Sequence, residues 1–169
     1  AIREGMEGAG WELSGLQKTT SHQFEGRWEG ESTRSAYLFF HSLSVAEPVS
    51  IDVYLDETSQ GLSGNIALVV DLVPLGDLGD PGEVLGALGA LSSTALPHRF
   101  TTPLTLRLRL KDGSADPAVA ETEVRFKLRL PKDVIAGGAA SVQRLAAKTT
   151  AAFETILSSG ELARYYSPD

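Results

Sequence analysis

The stretches "LTLRLRL" (Leu104–Leu110) and "VRFKLRL" (Val124–Leu130) place an apolar residue at every second position, with threonine, arginine or lysine between. A period of two sends the apolar set to one face of an extended strand and the polar set to the other. That is the pattern of an antiparallel sheet packed on one side and wet on the other. The inward sets are Leu104, Leu106, Leu108 and Leu110 in the first strand, and Val124, Phe126, Leu128 and Leu130 in the second.

Two further segments repeat the pattern: Ile51, Val53 and Leu55 in "SIDVYLDE", and Ile66, Leu68, Val70 and Leu72 in "NIALVVDLV". In the latter, Ala67, Val69 and Val73 make the second face apolar too, so this strand is expected to be buried more fully. "HQFEGRWEGES" and "TRSAYLFFHSL" read as two more strands, rich in aromatics. The turn formers of "DETSQGLSGN" (56–65) are expected to close a hairpin.

Two helices break the strand pattern. "DPGEVLGALGALSS" opens with Asp80 suited to an N-cap, Pro81 at the first helical position and Glu83 three residues after the cap. Gly82, Gly86 and Gly89 each cost about 0.5–1 kcal/mol relative to alanine, which makes a short helix near 81–92 dependent on packing. From Ala139 to Ser158, Val142, Leu145, Thr149, Ala152, Phe153 and Ile156 recur at steps of three and four, an amphipathic helix that Gly160 stops. The expected fold is therefore α+β. A curved antiparallel sheet of about six or seven strands packs against the long C-terminal helix, in one domain over 1–169 with residues 1–10 a loose N-terminal segment.

The chain has 15 Lys and Arg against 22 Asp and Glu, a net charge of −7. An overall acidic balance argues against nucleic acid as a partner, which needs a basic field. No cysteine is present, so disulfides and thiolate chemistry are excluded by inventory. The longest apolar runs fall short of a membrane span, and a soluble, cytoplasmic protein is the expectation. His22, His41 and His98 stand singly, without metal-ligand spacing, and "GLSGN" lacks the second glycine of a nucleophile elbow. Asp77, Asp80 and Glu83 lack the spacing of a calcium loop. The expectation is a non-enzymatic protein with no cofactor or metal.

One cationic face remains to be explained. A hairpin of the two opening stretches sets Arg109 opposite Glu121, Arg107 opposite Glu123, Leu106 against Val124 and Leu104 against Phe126. Facing opposite charges contribute about 0.2–1 kcal/mol per pair. Arg125, Lys127 and Arg129 then lack partners within the hairpin, with Asp52, Asp56 or the glutamates of "FEGRWEGES" as candidates on a neighbouring strand. The trio is either a solvated, salt-bridged face or a docking site for an anionic ligand or a protein partner. The leading reading is a binding protein with an apolar pocket between sheet and C-terminal helix, lined by Trp28, Leu68, Leu106, Phe126, Leu145 and Phe153; the alternative is an assembly or adaptor module that docks a protein partner through a sheet edge or the basic strand face 104–130. A small apolar ligand, a protein partner at a sheet edge and a homo-oligomer are the associations these surfaces allow.

Gly26-Arg27-Trp28 resembles the opening signature of lipocalin-type ligand-binding barrels, in which the tryptophan packs at the barrel floor. The order of a curved antiparallel sheet followed by a long C-terminal helix is similar to the helix-grip folds of START-like proteins. Either resemblance implies an enclosed apolar ligand.

Overall fold

The computed structural model describes residues 1–21, 33–42, 49–71, 81–93, 99–110 and 117–158. Six strands form one antiparallel sheet: β1 (Glu12–Ser21), β2 (Thr33–His41), β3 (Val49–Thr58), β4 (Gly61–Asp71), β5 (Leu104–Leu110) and β6 (Pro117–Arg129). Their order is β1-β2-β3-β4-β6-β5, so the sheet is open, with β1 and β5 at its ends. Helices α1 (Ile2–Glu7), α2 (Pro81–Ser93), α3 (Lys132–Ala136) and α4 (Ala139–Leu157) complete the described elements. The α+β class, the antiparallel sheet and the C-terminal helix are as the sequence pattern requires. No helix among the described residues is long and apolar enough to cross a membrane.

Alternation builds the core. Phe40, Ile51, Leu68 and Phe126 stand side by side across β2, β3, β4 and β6, all fully buried on one face. Val84 and Leu88 of α2, Ala146, Phe153 and Ile156 of α4, and Ile2 and Met6 of α1 join them in a single apolar cluster. Ala67 and Val69 are buried on the opposite face of β4, as the doubly apolar pattern of that strand demands.

Several local expectations need correction. The N-terminal segment is not loose: Ile2, Gly5 and Met6 of α1 are buried against α4. A side chain on Gly5 would come within 2.8 Å of the Gln143 carbonyl and 2.9 Å of Ala146 Cβ, so glycine permits the close crossing. This contact moves the buried stripe of α4 towards Ala146 and Thr150, leaving Val142 and Leu145 half-buried. Strand β1 escapes the alternation rule because its register shifts between Leu13 and Gly15. The hairpin of β3 and β4 is tighter than the span of turn formers suggests, with Thr58 paired to Gly61, whose φ of 111° requires glycine.

The register of β5 on β6 also differs from the expected one. Leu104 pairs with Val124, Leu106 with Thr122 and Arg107 with Glu121, and an irregularity follows before Leu108 meets Val119. Up to Arg107 the slip is two residues, which keeps the same faces together, so alternation cannot distinguish the two pairings there. The loop at 111–116 lies outside the described residues, as do Gly26-Arg27-Trp28, Asp77, Asp80, His22, His98 and Gly160.

Candidate functional site

The outer face of the sheet, opposite the helices, carries two parallel rows set by strand register. One runs Gln17, Tyr37, Tyr54, Asn65, Arg129 across β1, β2, β3, β4 and β6. The next runs Gly15, Phe39, Asp52, Ala67, Lys127, and Thr101 extends it through an isolated bridge to Lys127. Aromatic residues of β2 and β3 and cations of β6 thus share a face, with the short side chains of β4 between them.

The three cations of β6 separate into two kinds. Arg125 is paired: its Nε lies 2.6 Å from Glu123 Oε1, and its Nη1 lies 3.6 Å from Asp52 Oδ2. Asp52 also accepts a hydrogen bond from Ser50 Oγ at 3.0 Å. Burial raises the Asp52 carboxyl above its ordinary value, against the opposing pull of the Ser50 hydroxyl and the Arg125 guanidinium. Lys127 and Arg129, by contrast, have no ion pair among the described residues.

Lys127 and Arg129 line a concavity of about 600 Å³ with Arg99, Thr101, Tyr54 and Asn65. Arg99 has no ion pair among the described residues either, and no carboxylate is among the described residues that line the space. Two hydrogen bonds hold the segment in place: Thr101 N donates to the Lys127 carbonyl at 3.0 Å, and Lys127 N donates to the Thr101 carbonyl at 2.8 Å. Phe100 anchors it from the other side, its ring 5.2 Å from that of buried Phe153. Just before these anchors Arg99 adopts φ 57°, a left-handed conformation that costs a non-glycine residue about 1–2 kcal/mol.

A second, smaller concavity of about 270 Å³ adjoins the first and shares Tyr54 and Asn65 with it. Gln17, Tyr37, Phe39 and Arg125 supply much of the remaining wall. Tyr37 and Tyr54 stand with ring centroids 4.7 Å apart and planes tilted by 39°, and Tyr37 is 40% exposed. Burial, reinforced by the Asp56 carboxylate, raises the Tyr54 phenol above its ordinary value, so it is a neutral donor at physiological pH.

The interior residues have a different placement. Leu68, Phe126 and Phe153 are fully buried in one cluster, with Leu145 at its margin. Leu106 stands opposite Thr122 in the β5–β6 ladder, and Trp28 lies outside the described residues. Sequence reasoning missed Arg99, Tyr54, Asn65 and Thr101. No pattern in "HRFTT" signals a left-handed arginine, and a tyrosine on a polar strand face is not distinctive until the strand order places it beside cations.

One hydroxyl–imidazole pair also occurs. Ser14 Oγ lies 2.6 Å from His41 Nδ1 and donates to the Phe39 carbonyl at 3.0 Å. The imidazole tautomer decides which of the two groups donates across this exposed pair. No cluster of metal-ligating side chains occurs among the described residues. No protein-family model, curated protein or solved structure matches this chain.

Proposed function

We propose that the protein is a non-enzymatic binding module that holds an anionic ligand on the outer face of its sheet, at Arg99, Lys127 and Arg129. One observation carries this reading: three cations without acidic partners among the described residues converge on a single concavity. Cations on an ordinary solvated face are dispersed or paired, as Arg125 is. Tyr54 and Asn65 add neutral donors suited to oxyanion oxygens, while the Thr101 hydroxyl donates to the Lys127 carbonyl at 3.2 Å. An apolar ligand between sheet and C-terminal helix has less support, because Leu68, Phe126 and Phe153 are fully buried in one apolar cluster and none of them lines either concavity described above.

Thermal unfolding with inorganic phosphate and pyrophosphate tests the reading. A ligand that binds only the folded state at one hundred times its Kd stabilises by about 2.7 kcal/mol. The expected result is a saturable rise in Tm above that given by chloride at equal ionic strength, absent in the Lys127→Gln/Arg129→Gln double variant. An equal rise in both proteins, or none in either, refutes the site.

A further inference from the structure

Resting on the anion site just proposed, we infer that its ligand is a nucleotide unit, with the phosphate on Arg99, Lys127 and Arg129 and the planar base over Tyr37 and Tyr54. The two concavities share Tyr54 and Asn65 in their walls, so the cationic end and the aromatic end are neighbours on one face of the sheet. Tyr54 and Arg129 occupy the same register row two strands apart. That separation is about 10 Å at the usual strand spacing, the scale of the distance between a nucleobase and its own phosphate.

The chemistry of each end is distinct. Three cations suit a phosphate, which accepts several charge-assisted hydrogen bonds at once. A half-exposed tyrosine beside a second tilted tyrosine offers a ring face for stacking, the means by which sheet surfaces hold unpaired bases. The amides of Gln17 and Asn65 border the stacking end, and such groups pair with the donor and acceptor edge of a base. Asp52, which lines this end, is engaged by Arg125, while the Asp56 carboxylate lies close enough to Tyr54 to act on its phenol. The net charge of −7 opposes long polyanions but weakly affects a ligand with a single phosphate.

Calorimetric titration of the whole chain with four probes tests the inference: adenosine monophosphate, ribose 5-phosphate, inorganic phosphate and a short single-stranded oligoadenylate. Adenosine monophosphate is expected to bind about tenfold tighter than ribose 5-phosphate, the difference that one stacked base contributes. Tyr37→Thr, a substitution at an exposed strand position, is expected to remove that advantage while leaving ribose 5-phosphate unchanged. Arg129→Gln is expected to weaken both. Tighter binding by the monomer assigns the free nucleotide as the source, and tighter binding by the oligomer assigns a single strand; either supports the nucleotide chemistry. Equal affinity for adenosine monophosphate and ribose 5-phosphate, or an advantage that survives Tyr37→Thr, overturns the inference while the anion site stands. Failure of every phosphate-bearing probe to bind overturns both.

Discussion

Replacing Phe153 with alanine probes the link between the core and the outer face. Phe153 is fully buried in the cluster formed by the sheet and helices, and its ring meets that of Phe100 at 5.2 Å. Truncating a buried phenylalanine costs about 3–5 kcal/mol through lost transfer energy and the cavity left behind. An aromatic pair accounts for about 0.5–1.5 kcal/mol beyond buried area, which places the expected cost in the upper part of that range. Urea unfolding followed by circular dichroism should show a lower midpoint with an unchanged slope. A second effect follows from position: Phe100 neighbours Arg99, so a loosened Phe100 should weaken phosphate binding although Phe153 touches no part of the concavity. A stability loss under about 1 kcal/mol would mean that α4 is peripheral to the core. Full loss of stability with unaltered phosphate affinity would refute the anchoring role of Phe100.

Arg99→Gly should relieve a left-handed conformation and raise stability, or hold it constant, by up to about 1 kcal/mol, while phosphate binding weakens; a destabilised variant in urea melts would show that φ 57° is no strain. Asp52→Asn tests the buried carboxylate through pH. Because its folded value lies above the ordinary 3.8, its contribution to stability is fully present below that value and is lost as pH rises through the folded value. Urea melts near pH 4 and pH 7 should therefore find the asparagine variant gaining on the wild type as pH rises, and a constant difference would contradict the burial.

The parts of the fold that the sequence announces are those where one periodicity dominates. Strands β3, β4, β5 and β6 each alternate over enough positions to fix which residues face inward, and α4 does so at helical spacing. Where two requirements compete, the pattern fails. Strand β1 joins Leu13 and Leu16 through a shifted register, so its apolar residues are not two apart. Helix α1 has only six residues, too few to be stable alone, and forms because Gly5 lets it lie on Ala146. Its cause lies nearly the whole chain away, in α4. The β5–β6 register is hidden for a third reason: alternation is blind to shifts of two.

Those limits also explain why the candidate site was only half legible. Alternation puts Arg125, Lys127 and Arg129 on one face but cannot tell which of them is neutralised. That depends on strand order, which sets β3 beyond β4 and opposite β6, and on Ala67 and Val69 being short enough for side chains to meet across them. In this arrangement Asp52 shares a row with Lys127, while Arg125 shares its row with Val69 and Ser50. By rows alone, Asp52 belongs to Lys127. The structure instead has the Asp52 carboxylate accepting from the Ser50 hydroxyl and reaching diagonally to Arg125, whose guanidinium Glu123 also binds. Arg125 is thus neutralised, while Lys127 and Arg129 have no ion pair among the described residues and line one concavity with Arg99.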